Sequence, residues 1–492
     1  MDRAITLATI AAALLFFFMR EGKRLTKERL YEIIIGIYTF SCCFALMYVP
    51  VIKGDDEPCG TFGTNLSIWP CTLFILLLVW IISREKQWRI RRPKLLLAFV
   101  IIGYVAYTLL NPFNMGRVRS LGEIIYILSF GAFIYLFANT FSVKSVVNGI
   151  YLGLSLTVLL HFFLCICYPV LGIEAVVKLF DSDAATRSEE RIGAVGTLGH
   201  PNALGAYASY YFCFFASCVV TAYKRRQSAI CAGMAFIIIV LSASRSALVA
   251  SMMATLGIVL FYVYRRYKLL SFQSFLKGFI PLGILTALLL SGPLSFLFAD
   301  VEDLDEMTTS RLMHYYCGYE IFQDHPLTGV GMNAHLIYLY ENSSAVIFEQ
   351  MFDMTDLYQP EEFMFNNPIH NIWIILIVEL GLIGFLPILC FVIWYIATFK
   401  RRTKRSMNRY YNILNNTGLG IIICLLIHGN SDYAPLTPQL LNLSMLFISL
   451  SLVRQYAAEV HPEFESVEAS TRTMLENHTA DDDAAITTTV TA

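Results

Sequence analysis

Residues 369–397 read IHNIWIILIVELGLIGFLPILCFVIWYIA, a run in which Glu379 is the single Asp, Glu, Lys or Arg. A helix needs roughly 20 mainly apolar residues to cross the hydrocarbon core of a bilayer, so this run predicts a transmembrane helix. Directly before it stands Asn366-Asn367-Pro368, the end of a long polar segment. The first residues of the helix are therefore expected at the membrane surface.

The composition of the whole chain agrees with a membrane protein. Its 492 residues are 57% hydrophobic and 15% charged, whereas soluble domains are about 45–50% apolar and about 25% charged. Most of the 12 cysteines lie inside apolar runs, where a thiol behaves as a small hydrophobe. We therefore expect the lipid bilayer as a partner, no nucleic acid, and neither a metal site nor a disulfide scaffold.

Apolar runs of about membrane length recur along the chain and predict an all-α polytopic integral membrane protein with about 12–13 transmembrane helices. The first run resembles a signal peptide but has no small-residue cleavage site after it, so we expect it to be retained. The predicted spans lie near 4–19, 29–52, 67–83, 95–111, 120–139, 144–170, 202–223, 228–243, 246–263, 276–298, 369–397, 412–429 and 436–453.

The basic loops predict the orientation, because lysines and arginines near helix ends stay in the cytoplasm. They all fall on one side when the spans are counted in order. The opposite, extracytoplasmic side then receives 53–66, 112–119, 171–201, 299–367 and 429–435. The predicted organisation is a transmembrane bundle over 1–298, a large extracytoplasmic loop with short helices over 299–368, further transmembrane helices over 369–455, and a disordered cytoplasmic tail over 456–492.

His370 is the first candidate for chemistry. Asn367 followed by Pro368 predicts a helix N-cap with proline at the first helical position, which places His370 in the first turn. The positive end of that turn favours a nearby anion and a neutral imidazole that accepts a proton. A histidine that only caps its own helix, or that is hydrogen-bonded to Asn371, is the structural alternative.

Three arginines in the predicted outer segments are candidates for binding an anion. Arg311 stands at the start of a predicted short surface helix over 311–323, where a cation opposes the helix dipole. Arg245 lies in a tight hairpin between two apolar runs, and snorkelling to lipid headgroups is its structural alternative. Arg191 opens a glycine-rich segment. Arginine binds diphosphate well through its planar guanidinium.

The order, side and spacing of these motifs resemble the bacterial O-antigen ligase and polymerase family. The resemblance covers roughly residues 185–390. It rests on Arg191, Gly193, Gly196 and His200-Pro201-Asn202, then Ser244-Arg245, then Ser310-Arg311, then His325-Pro326-Leu327 with Gly329-Val330-Gly331, and finally His370-Asn371 with Glu379, Gly381 and Gly384.

The resemblance implies a GT-C-like, metal-independent glycosyltransferase without a cofactor in the bacterial plasma (inner) membrane. The donor would be an undecaprenyl-diphosphate-linked glycan, transferred en bloc on the periplasmic or exterior side. Carried onto this chain, Arg245 and Arg311 would hold the diphosphate and His370 would orient or deprotonate the acceptor hydroxyl.

The remaining site residues are expected to bind substrate. Arg191, His200 and Asn202 would shape the donor groove, and His325 and Asn371 are the further substrate-binding candidates. Glu379 lies roughly 13 Å along the helix from His370 at 1.5 Å per residue, so we expect a buried structural carboxylate.

Three functions remain open: a polymerase and a ligase, which differ in their acceptor, and a transporter, which transfers no glycan. A polymerase would add the growing glycan to another lipid-linked repeat, and this is the function that we favour from the sequence. A ligase would transfer it to lipid A-core or another acceptor. A transporter or flippase of polyprenyl-linked sugars is the alternative of another class, although such proteins usually show repeated halves and charges near the membrane midplane.

Overall fold

The computed structural model describes the parts of the chain that hold most of the predicted bundle. These are residues 26–44, 49–52, 66–68, 103, 106–114, 116–117, 120, 141–178, 193–267, 315, 317–342, 368–404, 408–453 and 456. The predicted spans at 4–19 and 276–298, most of those at 67–83, 95–111 and 120–139, and the tail prediction lie outside them.

Helices make up most of the described structure, which confirms the helical class. Two short strands, β1 (Val49–Ile52) and β2 (Leu66–Ile68), pair antiparallel, and Ala434–Leu436 forms a 3-10 turn. Residues 106–110 and 317–324 are also helical. The longer helices are α1 (Lys27–Ser41), α2 (Val143–Lys178), α3 (Pro201–Val220), α4 (Arg225–Leu241), α5 (Arg245–Tyr267), α6 (His335–Asn342), α7 (Ile372–Lys404), α8 (Arg409–His428) and α9 (Pro438–Ser451).

Five of these helices are long and apolar enough to cross a membrane within the described residues: α2, α3, α5, α7 and α8. The chain is a multi-pass membrane protein. Helices α3 and α8 are buried over most of their length, and α3 packs against α4, α5 and α8. They therefore form the centre of the bundle, and their ends define its two faces.

The span predicted at 29–52 is wrong in its second half. Helix α1 ends at Ser41, and residues 49–52 form β1 instead. Pro50 lacks a backbone N–H and disrupts a helix interior, while the β-branched residues Val49, Val51 and Ile52 favour a strand. With 15 residues, α1 is shorter than the roughly 17 needed to span a bilayer.

Helix α7 is broken at Gly381, which has φ 59° and ψ −176°. The segment 326–331, which begins with a turn, fills the break by backbone pairing: Val330 N donates to Val378 O at 3.0 Å, and Leu382 N donates to Pro326 O at 2.9 Å. Within hydrocarbon every backbone polar group needs a protein partner. The glycine-rich segment of the predicted outer loop therefore completes a membrane helix.

Candidate active site

Asp432 is held in place at one end of the bundle, just after α8. Its carboxylate is buried, with 1% of the residue exposed. Its Oδ1 accepts a hydrogen bond from Ala434 N at 2.7 Å, and its Oδ2 accepts one from the Asn202 side-chain amide. Its own backbone N–H bonds to His428 O at 3.1 Å. The carboxylate is thus fixed by partners from two helix ends.

His370 lies beside this carboxylate. Its Nδ1 is 3.9 Å from Asp432 Oδ2, and its side chain is 25% exposed. That distance exceeds a direct hydrogen bond, so Asp432 acts on the imidazole through charge. The ring also meets Tyr433 nearly edge-on, with centroids 5.4 Å apart. A reachable imidazole next to a buried anion can take a proton and have the resulting cation stabilised.

The predicted capping of α7 is wrong in position. Helix α7 begins at Ile372 rather than at Pro368. Asn371 is the cap, because its Oδ1 accepts from Trp373 N at 2.9 Å and Ile374 N at 3.2 Å. Its amide also donates to Asn430 O at 3.2 Å. His370 therefore precedes the cap, still at the positive end of the helix, and Asn371 joins it to the loop that carries Asp432.

The start of α3 supplies the other side of the cluster. His200 is the N-cap of this helix, and its Nδ1 accepts from Asn202 N at 3.1 Å. Asn202, two residues later, bonds to Asp432. Among the predicted substrate-binding residues, the structure thus brings His200 and Asn202 together with His370, through a carboxylate that was not predicted.

The electrostatics of the cluster keep Asp432 ionised. Burial alone would raise the pKa of its carboxyl, but His428, His370, His200 and the backbone N–H of Ala434 together bring the pKa below its ordinary value. At neutral pH the cluster therefore contains a fixed negative charge surrounded by imidazoles. In the described residues no group of histidine, cysteine or carboxylate side chains is arranged to hold a metal ion.

With this geometry established, comparison with protein families gives a specific match. Residues 230–389 match the family described as O-antigen ligase. This finding confirms the resemblance suggested by the motifs. The match spans about a third of the chain, from α4 into α7, and includes Arg245 and His370. Asp432, His200 and Asn202 lie outside it. No curated protein matches the chain.

Within the matched segment, Arg245 begins α5 at the same end of the bundle as His200. Gly205, in the second turn of α3, lies against the preceding hairpin, since a Cβ there would be 2.8 Å from Ser242 Oγ and Ser244 Cβ. Ala194 N also bonds to Leu241 O at 2.9 Å. The half-buried Arg245 therefore directly follows a hairpin that packs against the start of α3.

His325 belongs to a different part of the O-antigen ligase segment. Its ring lies over Phe113, with centroids 4.0 Å apart, and its Nε2 is 3.1 Å from Tyr338 OH. These contacts hold the turn before the segment that pairs with α7. Arg191 and Arg311 lie outside the described residues, so their roles stay predictions.

Glu379 is buried, as expected from the sequence, and forms a close pair. Its Oε1 is 2.6 Å from His335 Nδ1, with 5% and 3% of the two side chains exposed. Glu379 stands two residues before the break at Gly381, and His335 begins α6. The pair therefore ties the start of α6 to the broken helix α7.

Asp432 is the residue that the sequence analysis missed. The signal that could have found it is the polar run His428-Gly429-Asn430-Ser431-Asp432 between two apolar runs. The predicted topology already placed this loop on the side of His370. His428, at the end of α8, is buried and is one of the histidines that lower the pKa of Asp432.

Proposed function

We propose that this protein is a glycosyltransferase that transfers a polyprenyl-diphosphate-linked glycan en bloc to an acceptor hydroxyl. The observation that carries the proposal is His370, reachable from the surface and 3.9 Å from the buried Asp432, at the end of an O-antigen ligase match. Geometry and family similarity support the same reaction class. The active site would lie at the predicted periplasmic or exterior end of the bundle.

In the proposed reaction His370 is the general base. The acceptor hydroxyl gives its proton to the imidazole while its oxygen bonds to the anomeric carbon of the donor. The bond from that carbon to the diphosphate breaks, and the lipid diphosphate leaves with the electron pair. Asp432 stabilises the imidazolium that forms, and attack opposite the leaving group inverts the anomeric carbon.

Cations would stabilise the departing diphosphate. Arg245, placed beside the start of α3, is the described candidate, and Arg311 and Arg191 are proposed to join it from the neighbouring outer segments. Preorganised charges directed at the position where charge develops are an effective way to lower a barrier. This chemistry uses undecaprenyl diphosphate as the leaving group and assigns no role to a metal or cofactor.

We favour another lipid-linked repeat as the acceptor, which makes the protein a polysaccharide polymerase. The printed description of the matched family, O-antigen ligase, favours a second candidate, transfer to lipid A-core. The two candidates share the same donor, base and leaving group, so only the product distinguishes them.

The test uses the purified full-length protein in liposomes with a synthetic undecaprenyl-diphosphate oligosaccharide. A polymerase gives longer glycans on the same lipid, whereas a ligase gives product only after lipid A-core is added. Turnover should persist with a chelator, and the new linkage should have the inverted configuration by NMR. If the lipid-linked glycan instead crosses the bilayer unchanged, the protein is a transporter and the proposal fails.

Asp432→Asn is expected to lower kcat about 10- to 100-fold, because the imidazolium of His370 loses its neighbouring anion. This reduction corresponds to about 1.4–2.8 kcal/mol of lost stabilisation of that cation. The amide has no charge, and its single acceptor oxygen can keep only one of the two hydrogen bonds that Ala434 N and the Asn202 amide donate to Asp432. Without the anion the protonated imidazole is less favourable, so the acid limb of the pH–rate profile should move to lower pH. The matched control is Asp324→Asn, which neutralises an exposed carboxylate at the end of the helical residues 317–324. An unchanged pH profile would contradict the role of Asp432.

A further inference from the structure

A cavity lies at the opposite end of the bundle from His370. It has a volume of about 420 Å³ and is lined by residues that include Arg29, Lys144 and Lys224. Lys224 follows the C-terminal end of α3, whereas His200 caps its N-terminal end. The 20 residues of α3 separate the two sites by roughly 30 Å at 1.5 Å per residue.

The walls of this cavity carry more positive than negative charge. Within the part of the chain that the structure describes, Arg29, Lys144 and Lys224 line it, and no carboxylate side chain does. Glu32 stands beside the cavity, but its two oxygens accept from Arg29 Nη1 at 2.6 Å and from Asn148 Nδ2 at 2.6 Å. Among the described residues, one carboxylate therefore stands beside three cations, a balance that favours an anion in the cavity.

The backbone directs Lys224 into this position. Ala222 and Lys224 have φ values of 57° and 41°, a left-handed conformation that residues with a Cβ rarely adopt. The turn places Lys224 Nζ 4.3 Å from the ring centroid of Tyr151 and 5.4 Å from that of Tyr223. Burial lowers the pKa of Lys224, although Glu32 partly offsets this effect. Strained backbone of this kind is concentrated at functional sites.

Hydrogen-bonding groups are also available inside the cavity. Tyr151 and Ser155 line it, and their hydroxyl oxygens, which are buried in the cavity wall, make no hydrogen bond of normal geometry within the described residues. Buried polar atoms usually have a partner. Two hydroxyl groups beside three cations suit the oxygens of a phosphate group.

An apolar stripe leads away from the cavity along α2. It begins at Leu152, which lines the cavity, and recurs every three or four residues on one helix face. The 14 residues from its start to its end extend about 21 Å, much of the roughly 30 Å hydrocarbon thickness. The exposed members and their exposed fractions are Leu152 37%, Leu156 45%, Leu159 53%, Phe163 63% and Ile166 53%.

We propose that this cavity binds the phosphate headgroup of an anionic membrane lipid whose acyl chains lie along the α2 stripe. Basic pockets between transmembrane helices bind such headgroups through charge and hydrogen bonds. The adjoining apolar stripe favours a lipid over soluble phosphate, because only a lipid uses both surfaces. The site is separate from the His370 cluster and does not depend on the proposed transfer reaction.

The test measures the thermal unfolding temperature of the full-length protein in detergent during titration with phosphatidylglycerol, phosphatidylethanolamine or inorganic phosphate. Phosphatidylglycerol should raise the unfolding temperature by several degrees, and the other two should have little effect. Native mass spectrometry should show the same preference as retained lipid adducts.

Two variants connect the effect to the cavity. The double variant Lys144→Gln/Lys224→Gln should lose most of the stabilisation by phosphatidylglycerol and most of the retained adduct. Arg226→Gln removes an exposed cation that does not line the cavity, and should keep both. Equal responses in the two variants would overturn the site, and an equal response to inorganic phosphate would overturn the lipid assignment.

Discussion

Replacing His370 with alanine is expected to lower glycan transfer by about 10²–10⁴-fold, the contribution typical of a positioned general base. Proton removal from the acceptor hydroxyl would then depend on water. The assay is single-turnover transfer by the purified variant in liposomes. In cells, polymer should disappear while lipid-linked repeats accumulate on the outer face of the plasma membrane.

The fold should survive this substitution. His370 is 25% exposed at its side chain, and the cap of α7 is made by Asn371 rather than by the histidine. The unfolding temperature should therefore remain close to that of the wild type. His478→Ala, in the predicted cytoplasmic tail, is the matched control and should transfer glycan normally. Repeats that accumulate on the cytoplasmic face would identify a flippase and refute the enzyme.

A double variant tests whether His370 and Asp432 act as one unit. Residues that share a catalytic function have strongly non-additive effects. Once His370 is alanine, no imidazolium forms for the carboxylate to stabilise. Adding Asp432→Asn should then reduce transfer by less than twofold, compared with the 10- to 100-fold reduction expected for Asp432→Asn alone. Fully additive losses would show that Asp432 acts elsewhere.

The sequence predicted those parts of the fold that depend on local patterns. Helix α3 was predicted at 202–223 and lies at Pro201–Val220, because apolar composition and a capped start act over a few residues. Asp432 was not predicted, because its role depends on residues that are not its neighbours in the sequence. Its importance comes from contacts with Asn202 and His370, which are distant along the chain. Only the packing of α3 and α7 against the loop after α8 shows that this carboxylate is buried.

The break in α7 was not predicted either, because it also depends on a partner that is distant along the chain. Glu379 and Gly381 lie in a run whose apolar composition predicts a continuous helix, and glycine is tolerated within helices at a modest penalty. The interruption becomes favourable only because segment 326–331 supplies hydrogen bonds to the opened backbone. Single-sequence periodicity contains no information about that partner.

Gly381→Ala is expected to be among the most destabilising substitutions in the described part of the chain. The backbone at φ 59° and ψ −176° lies in a region that is essentially restricted to glycine. A Cβ would lie 2.3 Å from both Leu327 C and O. Because these are backbone atoms, no side-chain rotation can relieve the contact. We expect a loss of more than about 3 kcal/mol, at the severe end of single substitutions.

Hydrogen exchange can show which part of the structure loses stability in Gly381→Ala. The bonds across the break, including Gly331 N to Glu379 O at 2.9 Å and Tyr107 OH to Leu380 O at 3.0 Å, should open first. Peptides covering 326–331 and 378–383 should therefore exchange faster in the variant, and the unfolding temperature should fall. The control Gly233→Ala is in α4, where a Cβ meets nothing within 4 Å, and should leave both measurements near wild type.

The facing glycine supplies the decisive comparison. Gly329 has φ 63°, and a Cβ there would lie 2.4 Å from both Glu379 C and O, so Gly329→Ala should open the same junction from the other side. If both substitutions separate segment 326–331 from α7, the double variant should lose little more stability than either single variant. Additive losses would show two independent strained turns instead. In either single variant transfer should also fall, because α7 carries His370 at its start and its position depends on this junction.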